Sequence, residues 1–154
     1  MNVFFLDSDP EQAARLHNDS HCVKMILESA QMLSTACREN GLDEGYKPCF
    51  QHHPCTQWAG ESLSNWKWLR RLALALNEEY KYRYDKTQDH KSAQVVRSLS
   101  KLPIEDKGLT KPPQAMPDYC KRENPVEGYR EYYRQEKQHL AEWTKRDAPS
   151  FIKS

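Results

Sequence analysis

Long apolar runs are missing from this chain. No stretch approaches the roughly 18 consecutive apolar residues that a bilayer-spanning helix requires, and no basic segment at the start leads into an apolar stretch with a small-residue cleavage site. A soluble cytoplasmic protein with no membrane or secretory segment is therefore expected. An excess of either charge is also missing: 23 Lys and Arg face 22 Asp and Glu, a net charge of +1. That excludes a bulk electrostatic grip on nucleic acid but leaves room for a local basic face, because counterion release depends on which phosphates are touched. Apolar residues, at 38%, fall below the usual value of roughly 45 to 50%, so the core should be thin and built around Trp and Tyr. The five cysteines (Cys22, Cys37, Cys49, Cys55 and Cys120) contain no C-x-x-C pair and read as free thiols. No repeat, low-complexity tract or linker divides the chain, so residues 1–154 should form a single domain.

What is present is helical periodicity. The expected fold class is mainly α: a compact single-domain helical bundle with a short N-terminal strand and a long Pro-rich loop. Val3 to Leu6 reads as the strand, and Asp9-Pro10 opens a helix through Glu11 to about His17. Ser20 is expected to cap a second helix reaching about Arg38 and closed by Asn40-Gly41, with Val23, Ile26, Leu27, Ala30, Leu33 and Ala36 on its core face. A polar loop over 41–54 should lead into one long helix from about Thr56 to Tyr84, carrying Trp58, Leu63, Trp66, Leu69, Ala73, Leu76 and Tyr80 at helical period. A weaker helix is predicted within 90–102. Residues 103–126 hold Pro103, Pro112, Pro113, Pro117 and Pro125 and must be a loop. Pro125 opens a last helix, expected to run to about Trp143.

The second helix also carries a polar stripe, His21, Lys24, Glu28, Gln31 and Thr35, at steps of three and four. His21 and Glu28 are two turns apart, within about 20 degrees of one another around the axis. An imidazole, an amine and a carboxylate therefore share one side, which suits acid-base chemistry; a solvated face with a Lys24 to Glu28 pair is the plain alternative. Cys49, His52, His53 and Cys55 have zinc-ligand chemistry, but their spacing matches no paired-ligand pattern and no metal site is expected. No cofactor is expected either. His52 and His53 precede a helix start, where they could polarise a phosphate or a sugar hydroxyl, or equally serve to cap the loop. Trp58, Trp66 and Trp68 should be core. Arg130, Tyr132, Tyr133 and Arg134 alternate basic and aromatic character, which suits backbone contact and stacking, or else a plain amphipathic helix.

The segment His21-Cys22-Val23-Lys24-Met25-Ile26-Leu27-Glu28 resembles the active-site helix of the pyrimidine-dimer DNA glycosylases, the endonuclease V family of T-even phages and its bacterial members. Leu63 to Arg71 and its continuation to Tyr82 are similar to that family's long middle helix, His53-Pro54 is similar to its bacterial members, and Tyr129 to Arg134 resembles its C-terminal DNA-contacting motif. A group of small phage proteins with the H-x-V-K-M-I-L-E-S-A-Q segment is similar too; if the chain is phage-encoded, its compartment is the bacterial cytoplasm. The resemblance implies a glycosylase and abasic-site lyase acting on the N-glycosidic bond of a nucleotide in DNA. Glu28 would be the carboxylate, and the amine nucleophile would be that of Met1, since an α-amine titrates near neutrality, at about 7.7, or else Lys24 made reactive by burial. His21 would assist, and Gln31, His52, His53, Arg130, Tyr132, Tyr133 and Arg134 would bind nucleic acid or nucleotide. Three positions depart from the family pattern: Asn2 is too large for efficient removal of Met1, and Leu27 and Gln31 stand where arginines flank the family's Glu. The alternatives are a phage accessory protein that binds or sequesters a nucleotide or another phosphorylated small molecule in the same pocket, and an interaction module with no site.

Overall fold

The computed structural model describes residues 1–152, and among these the regular structure is helical throughout. The helices are α1 (Pro10–Leu16), α2 (Asp19–Glu39), α3 (Pro54–Ala59), α4 (Leu63–Tyr84), α5 (Lys91–Ser98) and α6 (Pro125–Glu136), with 3-10 turns at Asp118–Cys120, Gln138–Leu140 and Ser150–Ile152. The long helices α2 and α4 form the central pair; α1 packs on α4, and α3 and α5 pack on both. None of these helices is long and apolar enough to cross a membrane.

The expected N-terminal strand does not form. Val3, Phe4, Phe5 and Leu6 are buried as their composition requires, but a strand needs a partner ladder, and here the backbone is satisfied by other means. The Val3 amide donates to Asn2 Oδ1, the Leu6 amide closes a tight turn on the Phe4 carbonyl, and the Leu6 carbonyl accepts from Arg130 Nε. The segment is an apolar thread through the bundle. Phe5 stacks on Trp68 at 4.2 Å between ring centroids.

Local chemistry sets the helix ends, with three differences from the sequence reading. Asn18, not Ser20, caps α2: its Oδ1 accepts from the His21 amide at 2.8 Å, and Asp19, which lies inside the first turn, turns its carboxylate to Arg83 and Thr144. The predicted helix over 56–84 is two helices. Gly60 ends α3, and the loop residue Asp106 caps α4 by accepting from the Ser64 amide and hydroxyl. This cap lies 42 positions away in sequence, so local periodicity could not register it. The last helix stops at Glu136 instead of Trp143, because the chain turns back there. Trp143 Nε1 then donates to the Leu16 carbonyl and Arg146 pairs with Glu79.

The Pro-rich segment is ordered by hydrogen bonds, not by regular structure. Asn65 exchanges bonds with the Thr110 backbone and hydroxyl, Trp58 Nε1 donates to the Thr110 carbonyl, and Gln114 pairs with both backbone groups of Arg122. Trp58, Trp66 and Trp68 are core residues, each with its indole N–H on a backbone carbonyl, which removes the cost of burying that donor.

Candidate functional site

The polar stripe on α2 is solvated only at Lys24, with Gln31 half-buried. His21, Glu28 and Thr35 are buried, whereas Leu27, expected in the core, is 40% exposed and Val23 is half-buried. The helix is rotated relative to the sequence expectation because the apolar N-terminal thread and α6 cover the side on which His21 and Glu28 lie. Burying an ionised carboxylate requires partners, and Glu28, only 9% exposed, has them. The Met1 amine stands 3.3 Å from Glu28 Oε1, the Asn2 amide donates to the same oxygen at 3.1 Å, and Lys24 Nζ lies 3.7 Å from Oε2.

These groups face a cavity of about 230 Å³ whose walls include Met1, Asn2, Phe4, His21, Lys24, Glu28, His53, Ala115, Tyr132 and Lys137. Asn2 fixes the amine. Its Oδ1 lies 2.8 Å from the Tyr129 hydroxyl, and its Nδ2 donates to the Ala115 carbonyl of the Pro-rich segment at 3.0 Å. Arg130 pulls on the other end of the thread through Leu6 and Asp7.

The two imidazoles of the cavity are held in defined states. His21 stacks on Phe4 at 4.1 Å, and its Nδ1 lies 2.7 Å from the Tyr133 hydroxyl. That hydroxyl already accepts from the Asn18 amide, and burial keeps the Tyr133 phenol protonated, so its own proton points at His21 Nδ1. Burial, reinforced by the positive charges of His17, Lys137, Lys24 and His139, lowers the His21 pKa to about 3. The ring is thus neutral at physiological pH and carries its proton on Nε2. His53 caps α3, with Nδ1 accepting from the Cys55 amide at 3.0 Å, which places its proton on Nε2 as well. Burial and the Met1 ammonium lower its pKa, against the opposing pull of Glu28. Both rings are hydrogen-bond donors, not bases.

Of the residues singled out in the sequence, Met1, His21, Lys24, Glu28, His53 and Tyr132 meet at this cavity. Lys24 does not have the burial that a lysine nucleophile needs: its side chain is 67% exposed. Tyr133 is buried behind His21 and supports the wall from outside. Arg130 holds the N-terminal thread, and Arg134 is bound to Glu131 and to the Phe151 carbonyl. Gln31 is half-buried and His52 exposed, and neither lines the cavity. Asn2, Phe4, Ala115 and Lys137 also line the cavity and were not among the expected site residues. Only Asn2 had a sequence signal, its place beside the amine; Lys137 and Ala115 reach the cavity from the far third of the chain. Of the four residues with zinc-ligand chemistry, His53 is held in its cap and Cys55 lies against Asn2 Oδ1, whereas Cys49 is anchored through its backbone on Thr35 Oγ1 and His52 is exposed.

The arrangement can do two things. An amine in contact with a carboxylate can lose its proton to it and attack a carbon electrophile, and two lysines with two imidazole N–H donors can surround an anion. Comparison with known proteins adds no assignment, since no family model, no curated protein and no solved structure matches the chain.

Proposed function

We propose that this protein is a DNA glycosylase and abasic-site lyase of the imine-forming kind, with the Met1 α-amine as nucleophile and Glu28 as its acid-base partner. The observation that carries this reading is the 3.3 Å contact between the Met1 amine and Glu28 Oε1 at the wall of a polar cavity. It also agrees with the resemblance of the segment from His21 to Glu28 to the active-site helix of the pyrimidine-dimer glycosylases. The unprotonated amine adds to C1′ of the sugar as the glycosidic bond electrons leave on the base, which takes up a proton. Glu28 accepts a proton from the new C–N centre and returns it to O4′ as the ring opens, leaving a protonated imine at C1′. Removal of a C2′ proton by Glu28 then expels the 3′ phosphate. His21 and His53 donate from Nε2 to the sugar oxygens or phosphate, and Lys24 and Lys137 bear on the phosphate charge.

The test is borohydride trapping on abasic and on ultraviolet-damaged duplex. A covalent protein–DNA adduct mapped to the Met1 peptide is expected, and it should disappear when the amine is acetylated or extended by one residue. Absence of an adduct on both duplexes refutes the reading. A second reading, in which the cavity binds a phosphorylated small molecule without chemistry, is favoured by the convergence of Lys24 and Lys137 on it and by the near-zero net charge. It predicts stabilisation by nucleotides and no adduct.

A further inference from the structure

A second cavity, of about 380 Å³, shares no residue with the first. Trp66, Lys67, Arg70 and Arg71 of α4 line it on one side, Leu99 and Lys101 on the other. Four cations and no carboxylate form its wall. Arg71 is neutralised by Glu11, which it grips through both carboxylate oxygens. Lys67, Arg70 and Lys101 have no hydrogen-bond or ion-pair partner among the described residues.

Arg70 is the informative member. A guanidinium cannot shed its charge and presents five donors, so partial burial without an acceptor is costly. The other arginines that are not fully exposed, Arg38, Arg83, Arg130, Arg134 and Arg146, all have acceptors. Arg70 is the one half-buried arginine among the described residues that lacks one. Lys67 and Arg70 lie three positions apart on one face of α4, and Lys101 closes the set from across the cavity.

The floor is apolar. Trp66 and Leu99 are nearly buried and present carbon edges, since the Trp66 indole N–H is already committed to the Leu33 carbonyl. The volume falls within the range of small-molecule sites, roughly 300 to 1,000 Å³. Along α4 the unpaired cations give way to mixed charge, with Arg71, Glu11, Glu78 and Arg97 around the next depression. On the other side Lys67 also borders a depression with Ser64, Trp68 and Leu109, where its cationic neighbour is the Glu11-paired Arg71, so the three unpaired cations converge on one concavity only, which suits a compact polyanion better than a duplex backbone.

We infer that this cavity is a binding site for a phosphorylated small molecule, its phosphoryl group held by Arg70, Lys67 and Lys101 and its apolar part lying on Trp66 and Leu99. The site is independent of the Met1–Glu28 reading.

Calorimetric titration with thymidine 5′-monophosphate, pyrophosphate, thymidine and a short duplex tests it. The two phosphorylated probes should bind and thymidine should not. The Arg70→Ala/Lys101→Ala double variant should lose affinity by about tenfold or more, the scale of a charge-assisted contact, while Glu28→Gln binds as the unaltered protein does. Because the replaced cations have no partners, the double variant should melt no lower than the parent, so a loss of binding is not a loss of fold. Four outcomes each overturn the inference: neither phosphorylated probe binds, binding is indifferent to the double substitution, binding is lost in Glu28→Gln, or only the duplex responds to Arg70 and Lys101.

Discussion

Two buried ionic clusters stand at opposite ends of the α2 story, and they are built differently. Around Arg83, which is 2% exposed, every charged side chain is paired. The guanidinium meets Glu79, Asp19 and the carbonyls of His17 and Arg15. Glu79 also takes two bonds from Arg146, and Asp19 takes two from Thr144. Around Glu28 the satisfaction is partial: Oε1 has the Met1 amine and the Asn2 amide, but Oε2 has only the long contact to the exposed Lys24, and a cavity lies alongside. A saturated cluster has no capacity left for a ligand and acts as a clasp, here fastening residues 142–146 to the bundle. A partly satisfied one beside open space keeps a lone pair for something that enters.

The contrast can be broken most sharply at Arg83. Arg83→Met should cost about 3 to 5 kcal/mol in urea unfolding, because Glu79 and Asp19 are left buried with diminished compensation; a loss below about 1 kcal/mol would mean that the cluster is not a clasp. Glu28→Gln should behave in the opposite way. Adduct formation on abasic duplex should fall about a hundredfold or more, near 2.7 kcal/mol of barrier, with stability changed by only about 1 kcal/mol, since Gln keeps an acceptor for the Asn2 amide. Full activity in this variant would remove Glu28 from the mechanism.

The next effect is in pH. His17 is fully buried and its pKa is lowered to about 4 by burial; that of His21 is lowered to about 3. Unfolded imidazoles titrate near 6.5, so between these values the unfolded chain binds more protons and stability rises with pH. The contribution is complete above 6.5 and is lost as pH drops toward 4 and 3, roughly 2 kcal/mol per histidine by pH 5. Urea midpoints at pH 7 and 5 measure it, and His17→Asn should flatten the slope; equal slopes in both proteins would contradict the assignment. Smaller again is Tyr133→Phe, expected to cost about 1 kcal/mol and to release His21 from a single tautomer, visible in the imidazole nitrogen shifts. An unchanged tautomer would show that Tyr133 does not set it. Lys24→Ala, at an exposed ion pair, should change stability by only a few tenths of a kcal/mol.

The parts of the molecule legible in the sequence are those whose causes are local. Pro10 and Pro125 mark the starts of α1 and α6, Asn40-Gly41 marks the end of α2, and the period of Leu69, Ala73 and Leu76 marks α4 as core-facing. His21 and Glu28 were recoverable as a pair because helical geometry alone puts them on one side. The rest depends on partners distant in sequence. Asp106 divides one predicted helix into two, Arg130 and Asn2 replace a strand ladder, and the burial of the α2 polar stripe follows from what covers it. Lys137 and Ala115 could not be connected to the cavity by any spacing rule.

Asn2 has a consequence for the order in which the molecule becomes itself. Its side chain is held by Ala115 and Tyr129, 113 and 127 positions further along, and the thread that follows it is held by Arg130. The N-terminal thread is thus seated by residues that emerge more than a hundred positions after it. Until that part of the chain has emerged and closed over the thread, the amine has no fixed position relative to Glu28, and a nascent or truncated chain ending before the Pro-rich segment would carry every residue of the α2 pair without the geometry that joins them.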